Sequence, residues 1–416
     1  MAEKTDEAKL DGWRNLLSGA NSGMDAGEYT HPVQEAALTR YTAEAIYRAD
    51  GIGRRIVDLP ADEMTREWVE VRGNRGDEVA QELRRINAKH QINKALRWAG
   101  LYGGAVAVLL IDDGSSDLAN PLGGTVRSVD GIRVYDRHQT HWTQGDISTD
   151  PRNPYFGFPE TMMITPQLGI PFRVHRSRML IFDGLDIPDQ IRINNRGWGD
   201  SRLQSVYRAL SRYGEALSGT SGIIRDFVQP TLGMKGLSDM IASGQEDVVQ
   251  KRLEILGLSR SILNVLLIDA EEESYEKKAS SVSGIDKLLE ELKHNVSAVS
   301  SIPQTKLFGR SPEGMNASGD SQTRDWYDQV AGEQERHVVP PVEYLVDLID
   351  RSMGGAPDDR EISCNPLWQP TEQEQATTAD SVVKAVTLAL DYGAMTPEAA
   401  ARNIERFGLE TGFEDG

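Results

Sequence analysis

Ile302-Pro303-Gln304-Thr305-Lys306-Leu307-Phe308-Gly309-Arg310-Ser311-Pro312-Glu313-Gly314-Met315-Asn316-Ala317-Ser318-Gly319-Asp320 separates two segments with helical periodicity. The stretch holds two prolines, three glycines, two cations and no β-branched run. Such residues punctuate a helix rather than extend it. Two helices joined by a polar, glycine-containing loop form a hairpin with the loop at its tip. A connection this long is functional or disordered rather than a mere joint.

Upstream, Ile285, Leu288, Leu289, Leu292, Val296 and Val299 recur at three- and four-residue spacing, which predicts a helix starting at Ser283 or Gly284. Downstream, a long helix is expected from about Ser321, marked by Trp326, Val330, Val342, Leu345, Val346 and Ile349. Pro340 and Pro341 must bend or break it, because neither has an amide to donate. Further back, Asp200 or Ser201 can cap a helix through Leu203, Val206, Leu210, Tyr213 and Leu217 that stops before Pro230. Between these helices, residues 230–282 carry a polar helix (Gly244–Leu256), an apolar strand (Ile262–Ile268) and the acidic run Glu271-Glu272-Glu273.

The first half reads differently. Thr42 to Glu67 predicts a helix broken at Gly51–Gly53, with a second short turn beginning at Pro60. Residues 68–71 alternate like a strand, and residues 77–102 predict one helix. Gly103 to Ile111 is an apolar run suited to a buried strand, and Asp112-Asp113-Gly114 is the turn after it. Short strands follow at Ile132–Tyr135, Thr161–Ile164, Phe172–Val174 and Met179–Phe182, and another lies at Glu361–Leu367. The tail, 371–410, reads as two helices, the second opened by Thr396-Pro397-Glu398. Residues 1–40 read as a polar arm. The fold class expected is α+β, a mixed body followed by a mostly helical half.

The chain has 416 residues, 39% hydrophobic and 26% charged, and a net charge of −19. That charge argues against a protein that coats nucleic acid, which needs a basic face. It is compatible with a wall that DNA slides past without sticking. One cysteine, Cys364, excludes an intrachain disulfide and suits a reducing compartment. The apolar runs are too short to span a bilayer, and Met1 to Leu10 lacks an apolar signal core, so no membrane association is expected.

Sites of chemistry are scarce. There is no G-x-x-x-x-G-K-S/T, and Gly51-Ile52-Gly53 and Gly197-Trp198-Gly199 lack the third glycine of a dinucleotide fingerprint. Ser177, Ser201 and Cys364 have no nucleophile elbow or triad context. His138, His141 and His175 lack metal-ligand spacing, so no metal and no cofactor is expected.

Several strings resemble the portal proteins of tailed bacteriophages. They are the 302–320 stretch, Arg55-Ile56-Val57-Asp58-Leu59-Pro60-Ala61-Asp62, Leu101-Tyr102-Gly103-Gly104-Ala105, the run from Val174 to Gly184, and Gly197-Trp198-Gly199-Asp200-Ser201-Arg202-Leu203-Gln204. They follow one another from about residue 40 to residue 400, in the order of that family's plan. The resemblance implies an N-terminal arm (1–40), an α+β wing (41–200), a first stem helix (201–228), a clip (229–282) and a second stem helix (283–301). A tunnel loop (302–320), a long wing helix with returning strand (321–370) and a helical crown (371–416) complete it.

That resemblance implies a non-enzymatic, twelve-fold ring at one capsid vertex, made in the host cytoplasm and carried in the virion. Its partners would be further copies of itself, double-stranded DNA in the channel, the terminase large subunit, major capsid or scaffold protein, and a head-completion adaptor. The tunnel-loop and channel residues would be Gln304, Thr305, Lys306, Arg310, Asn316 and Arg324, with the cations touching phosphates transiently. Glu271, Glu272 and Glu273 would face a basic partner surface at the clip. Two alternatives stand beside this reading. One is a different phage connector or head-completion protein. The other is a metal-dependent nucleotide or DNA hydrolase using Asp112, Asp113 and Asp136.

Overall fold

The computed structural model describes residues 38–153, 155–227, 231–234, 240, 242–244, 247–248, 251, 266–269, 284–309, 320–354, 360–368, 372–393, 395–397 and 399–402. The chain opens with helices α1 (Arg40–Ala49) and α2 (Gly51–Arg66), strand β1 (Val69–Arg72), and helices α3 (Gly76–Arg85) and α4 (Ala88–Tyr102). Strands β2 (Gly104–Asp112), β3 (Ser128–Asp136), β4 (Thr140–His141), β5 (Thr161–Ile164), β6 (Phe172–His175) and β7 (Met179–Asp183) follow. Then come helices α5 (Asp189–Asn194) and α6 (Arg202–Phe227), strands β8 (Thr231–Met234) and β9 (Leu266–Asp269), and helix α7 (Ile285–Ser300). The last elements are α8 (Gln304–Phe308), α9 (Asp320–His337), α10 (Val339–Ser352), β10 (Glu361–Cys364) and α11 (Glu372–Asp391).

The apolar run at 103–111 is the central strand. β2 lies between β3 and β7, antiparallel to both, in the order β3-β2-β7. Alternate β2 residues point to opposite faces. Val106 and Val108 join Met162, Ile164 and Val174 of the second sheet, β4-β5-β6, with Met179 and Trp198 in one core. Ala105, Ala107 and Leu109 point the other way and are equally buried. With both faces covered, such a strand reads as a continuous apolar run rather than an alternating one.

The glycines of the Leu101–Ala105 string have a steric role. Gly103 ends α4 with φ +86 and donates its amide to Ala99 O at 2.8 Å. Gly104 lies against the Trp198 indole so closely that a Cβ would sit 2.2 Å from Cε3. A side chain at either place would push the helix end or the indole out of register.

The buried Arg178, with a relative exposure of 0%, pairs with Asp113 at 2.5 Å, and its Nε donates to Asn120 O at 3.0 Å. Asp113 Oδ1 also accepts the Ser115 amide at 3.0 Å. The Asp112–Gly114 turn is therefore present, and its second carboxylate is also one half of an interior ion pair. The Arg178 guanidinium holds the Asp113 carboxyl down at about 2.

Several helix boundaries depart from the expectation. The break between α1 and α2 falls at Asp50, whose side chain accepts from the amides of Ile52 at 2.8 Å and Gly53 at 3.2 Å. Pro60 lies inside α2, which runs on to Arg66 instead of restarting. The single helix expected over 77–102 is two, separated by Asn87 in the left-handed conformation, φ +55. The expected bend of the long helix occurs at Val338, so that Pro340 and Pro341 fall in the first turn of α10, where an amide has no helical partner to lose. Ser201 caps α6 as expected: its Oγ accepts the Leu203 amide at 3.1 Å and donates to Gly100 O at 3.2 Å. Strands β1 and β10 pair antiparallel, Val69 opposite Cys364, and join the ends of α2 and α10. β8 and β9 form a parallel pair, Thr231 opposite Leu266. Most of the helix expected at 244–256, and Glu271, Glu272 and Glu273, lie outside the described residues.

Arg178→Met leaves Asp113 without its cation, and a broken interior pair costs roughly 3 kcal/mol. Urea unfolding of the variant should show that loss, and an unchanged midpoint would refute the structural role of the pair.

His138 is packed edge-on against Tyr102, with ring centroids 5.5 Å apart. Burial, with Arg137 and Arg40 beside it, pushes its imidazole down to about 4 from an ordinary 6.5. The unfolded chain takes up a proton between pH 6.5 and 4 that the folded chain refuses. Stability should therefore fall as pH drops across that window. In urea titrations at pH 7 and pH 4.5, His138→Phe should show a smaller loss than the natural chain.

Candidate functional site

Residues 302–309 do not begin as a free loop. Pro303 O accepts the amides of Lys306 at 2.9 Å and Leu307 at 2.8 Å, and Gln304–Phe308 closes as the short helix α8, ended by Gly309 at φ +72. Ile302 and Leu307 are buried, and the Phe308 ring meets Tyr213 of α6 edge-on at 5.8 Å. The first third of the segment is thus a docked turn, because its three apolar side chains have a hydrophobic seat.

The residues named from sequence occupy distinct places. Gln304 is buried, and its Nε2 donates to Glu290 Oε2 on α7 at 3.1 Å. Thr305 Oγ1 is buried and without a hydrogen-bond partner among the described residues, and so is Trp326 Nε1 on α9. Arg324 stacks its guanidinium 4.7 Å above the Trp368 ring. Arg310 and Asn316 lie outside the described residues.

Lys306 requires a correction. Its Nζ donates to Glu63 Oε1 at 3.1 Å and to the Tyr327 hydroxyl at 2.9 Å, and it also lies 4.8 Å from the centre of the Tyr327 ring. Its backbone carbonyl accepts Arg55 Nη2 at 2.5 Å. The ammonium expected to meet DNA is committed to the protein's own body. Burial alone would lower its pKa, but the hydrogen bonds to Tyr327 and Glu63 outweigh it and the net shift is upward. The charge is therefore held on the lysine.

Glu63 is the hub of this arrangement. It is buried on α2 and pairs with Arg66 one turn on as well as with Lys306. Arg66 Nη1 also donates to the Tyr327 hydroxyl at 3.1 Å, and Nη2 donates to Leu367 O at 2.7 Å. Burial would raise the Tyr327 phenol, but its two cationic donors bring it down. Nearby, Gln334 Nε2 donates to Met64 O at 2.8 Å, and Arg202 pairs with Glu333 at 2.7 Å. Helices α2, α6, α8 and α9 are fastened together around residues 302–309.

Sequence reasoning did not find Glu63, Arg66 or Tyr327. Glu63 and Arg66 show the i,i+3 spacing of a helical ion pair, which is common on solvated faces. Nothing local marks a partner 243 residues away.

The hydrolase constellation does not assemble. Asp112 and Asp136 sit near opposite ends of the β2–β3 ladder, where Asp112 faces Ser128 and Asp136 faces Ala105. Seven residues of strand separate them by about 23 Å. Asp136 Oδ1 caps the turn at 137–139 by accepting the His138 amide at 2.8 Å, and Asp113 is occupied by Arg178. No group of three His, Cys, Asp or Glu among the described residues can hold a metal ion. His138 is packed on Tyr102, while His175 Nδ1 accepts the Ser177 amide at 3.2 Å. No helix among the described residues is long and apolar enough to cross a membrane.

Comparison with known proteins agrees with the architecture. The chain is 30% identical over 390 residues to a Caulobacter protein named anti-CBASS protein Acb1, a match covering 88% of this chain and 61% of that one. An uncharacterised Haemophilus influenzae protein is 28% identical, with 96% and 91% covered. A Sphingomonas paeninsulae protein, also named Acb1, is 26% identical, with 98% and 66% covered. The chain thus spans about three fifths of the Caulobacter relative. Among solved structures, the native gene transfer agent virion superposes with a TM-score of 0.56 at 12% identity, covering 92% of this chain and 95% of that one. The neck of that particle, computed with C12 symmetry, gives 0.53 at 12% identity, with 90% and 94% covered. These structures share the fold. The family described as phage portal protein matches residues 41–388, and the chain belongs to that family.

Proposed function

We propose that the protein is the subunit of a homo-oligomeric portal ring, twelve-fold in the particle, at one capsid vertex. The observation that carries this reading is an apolar face that the protomer leaves open. Of the stripe on α7 only Val296 is buried, while Leu288 is 58% and Val299 42% exposed. On its partner α6, Tyr207, Leu217 and Ile223 are also exposed. A helical hairpin that packs on itself and still shows apolar side chains suits burial against identical neighbours. The symmetry named for the neck structures, C6 and C12, supports a ring.

Within that reading the channel serves genome packaging and ejection. A chain of net charge −19 makes a channel wall that repels phosphates and keeps DNA mobile. The 310–319 segment, with Arg310 and Asn316, is the part assigned to double-stranded DNA. Arg324 is a further channel cation. Gln304, Thr305 and Lys306 hold the base from which that segment springs. The clip, 229–282, with Glu271, Glu272 and Glu273, is assigned to the terminase large subunit and later to a head-completion adaptor. Capsid or scaffold protein surrounds the ring, which assembles in the host cytoplasm before entering the virion.

The ring is a conduit and not an enzyme. The anti-CBASS names of two relatives are assigned to chemistry outside this plan. The match leaves about two fifths of the Caulobacter protein aside, and the aspartates Asp112, Asp113 and Asp136 do not converge here.

Electron microscopy of the purified full chain should show rings of about twelve subunits with a central hole. Leu288→Glu together with Val299→Glu should yield folded protomers that no longer form rings. Monomers or dimers from the natural chain would overturn the proposal.

Lys306→Met removes the cation between Glu63 and Tyr327 and should loosen the base of the segment. Tryptic cleavage after Arg310 should then accelerate at least severalfold while ring formation is kept. An unchanged cleavage rate would show that α8 stays seated without the ion pair.

A further inference from the structure

A cavity of about 650 Å³ lies away from the 302–320 segment, in the region of the second sheet and α5. Its volume is in the range that small ligands occupy. Trp142 and Trp198 form part of its wall, meeting edge to face with centroids 5.5 Å apart, and Phe158 adds a third aromatic surface.

Three arginines reach this aromatic space: Arg176, Arg192 and Arg196. Arg192 is neutralised by Asp183 and by Asp186 at 2.9 Å. The other two are not neutralised. Arg176 lies 4.6 Å over the Tyr155 ring, and its Nη1 is buried with no hydrogen-bond partner among the described residues. Arg196 forms no ion pair among the described residues, and its backbone is left-handed at φ +57. The chain carries 64 acidic residues against 45 lysines and arginines. Neither guanidinium meets a carboxylate among the described residues; Arg196 is exposed, whereas the buried Arg176 donor is left unpaired, which is costly. Arginine forks match phosphate oxygens and stack on flat rings.

The carboxylates of the cavity divide in role. Asp183 Oδ1 accepts the amides of Gly184 at 3.0 Å and Gly199 at 2.8 Å, in addition to its ion pair with Arg192. Asp189 opens α5 and pairs with no cation among the described residues. It can only accept hydrogen bonds, which suits hydroxyl groups.

We propose that this cavity binds a nucleoside monophosphate, with its base between Trp142 and Phe158 above the buried floor formed by Trp198, its phosphate on Arg176 and Arg196, and its sugar hydroxyls donating to Asp189. Neither a simple aromatic nor free phosphate uses all three features. The site is independent of the DNA channel and does not require the ring.

Isothermal titration of the full chain with AMP and GMP tests this, with adenosine and inorganic phosphate as the separate halves. The expected result is saturable nucleotide binding at least tenfold tighter than either half. Arg196→Gln should weaken it tenfold or more with no change in thermal midpoint. Asp189→Asn should weaken nucleotide binding while leaving inorganic phosphate unaffected or tighter. The proposal is overturned by absence of saturable nucleotide binding, by phosphate binding as tightly as nucleotide, or by both variants binding nucleotide like the natural chain.

Discussion

The mixed α+β part of the chain is placed by one strand, β2, that is buried over most of its length. β2 is sandwiched between its sheet neighbours β3 and β7 and covered on both faces, so each of its backbone amides and carbonyls needs a partner and each of its side chains must fit. Gly103 and Gly104 at its start let the end of α4 and the Trp198 indole approach closely enough to shut that core. The Arg178–Asp113 pair closes the far end. The order of elements follows outward: α4 on one face, the small second sheet on the other, and the helical half attached through Ser201 to Gly100.

The second constraint is electrostatic and long-range. Glu63 receives Arg66 from its own helix and Lys306 from the far side of the sequence, and Tyr327 takes a hydrogen bond from each of the same two cations. A buried carboxylate needs partners for its charge, and here two cations supply them while sharing the Tyr327 hydroxyl as a second acceptor. The consequence is structural. The residues after α7 form a seated turn, α8. The Lys306 side chain ties α8 to α2 and α9, and Gln304 ties it to α7 through Glu290.

The two halves of the chain manage apolar surface differently. Around β2 it is enclosed on both faces. On α6 and α7 it stays exposed, and a neighbouring copy is the cover that suits it best. The long acidic excess is consistent with this division, because charge keeps the open faces soluble until they are paired.

Composition and periodicity alone determined most of the architecture. The buried strand at 103–111, the α6 cap at Ser201, the amphipathic stripe of α7 and the bend before Pro340 are all local consequences of sterics, capping and hydrophobic spacing. The ordered set of local strings also pointed to the portal family. What only the tertiary structure decided was where charges go. Lys306 looked like a free loop cation because its partner, Glu63, lies 243 residues earlier, and Asp113 looked like a mere turn residue because Arg178 lies 65 residues later. Pro60 misled about a boundary because the packing of α2 carries the helix through it, and Asn87 did so because it takes the left-handed conformation that asparagine tolerates. Spacing along the chain reports which side chains share a face. It carries no record of which distant face comes to meet them.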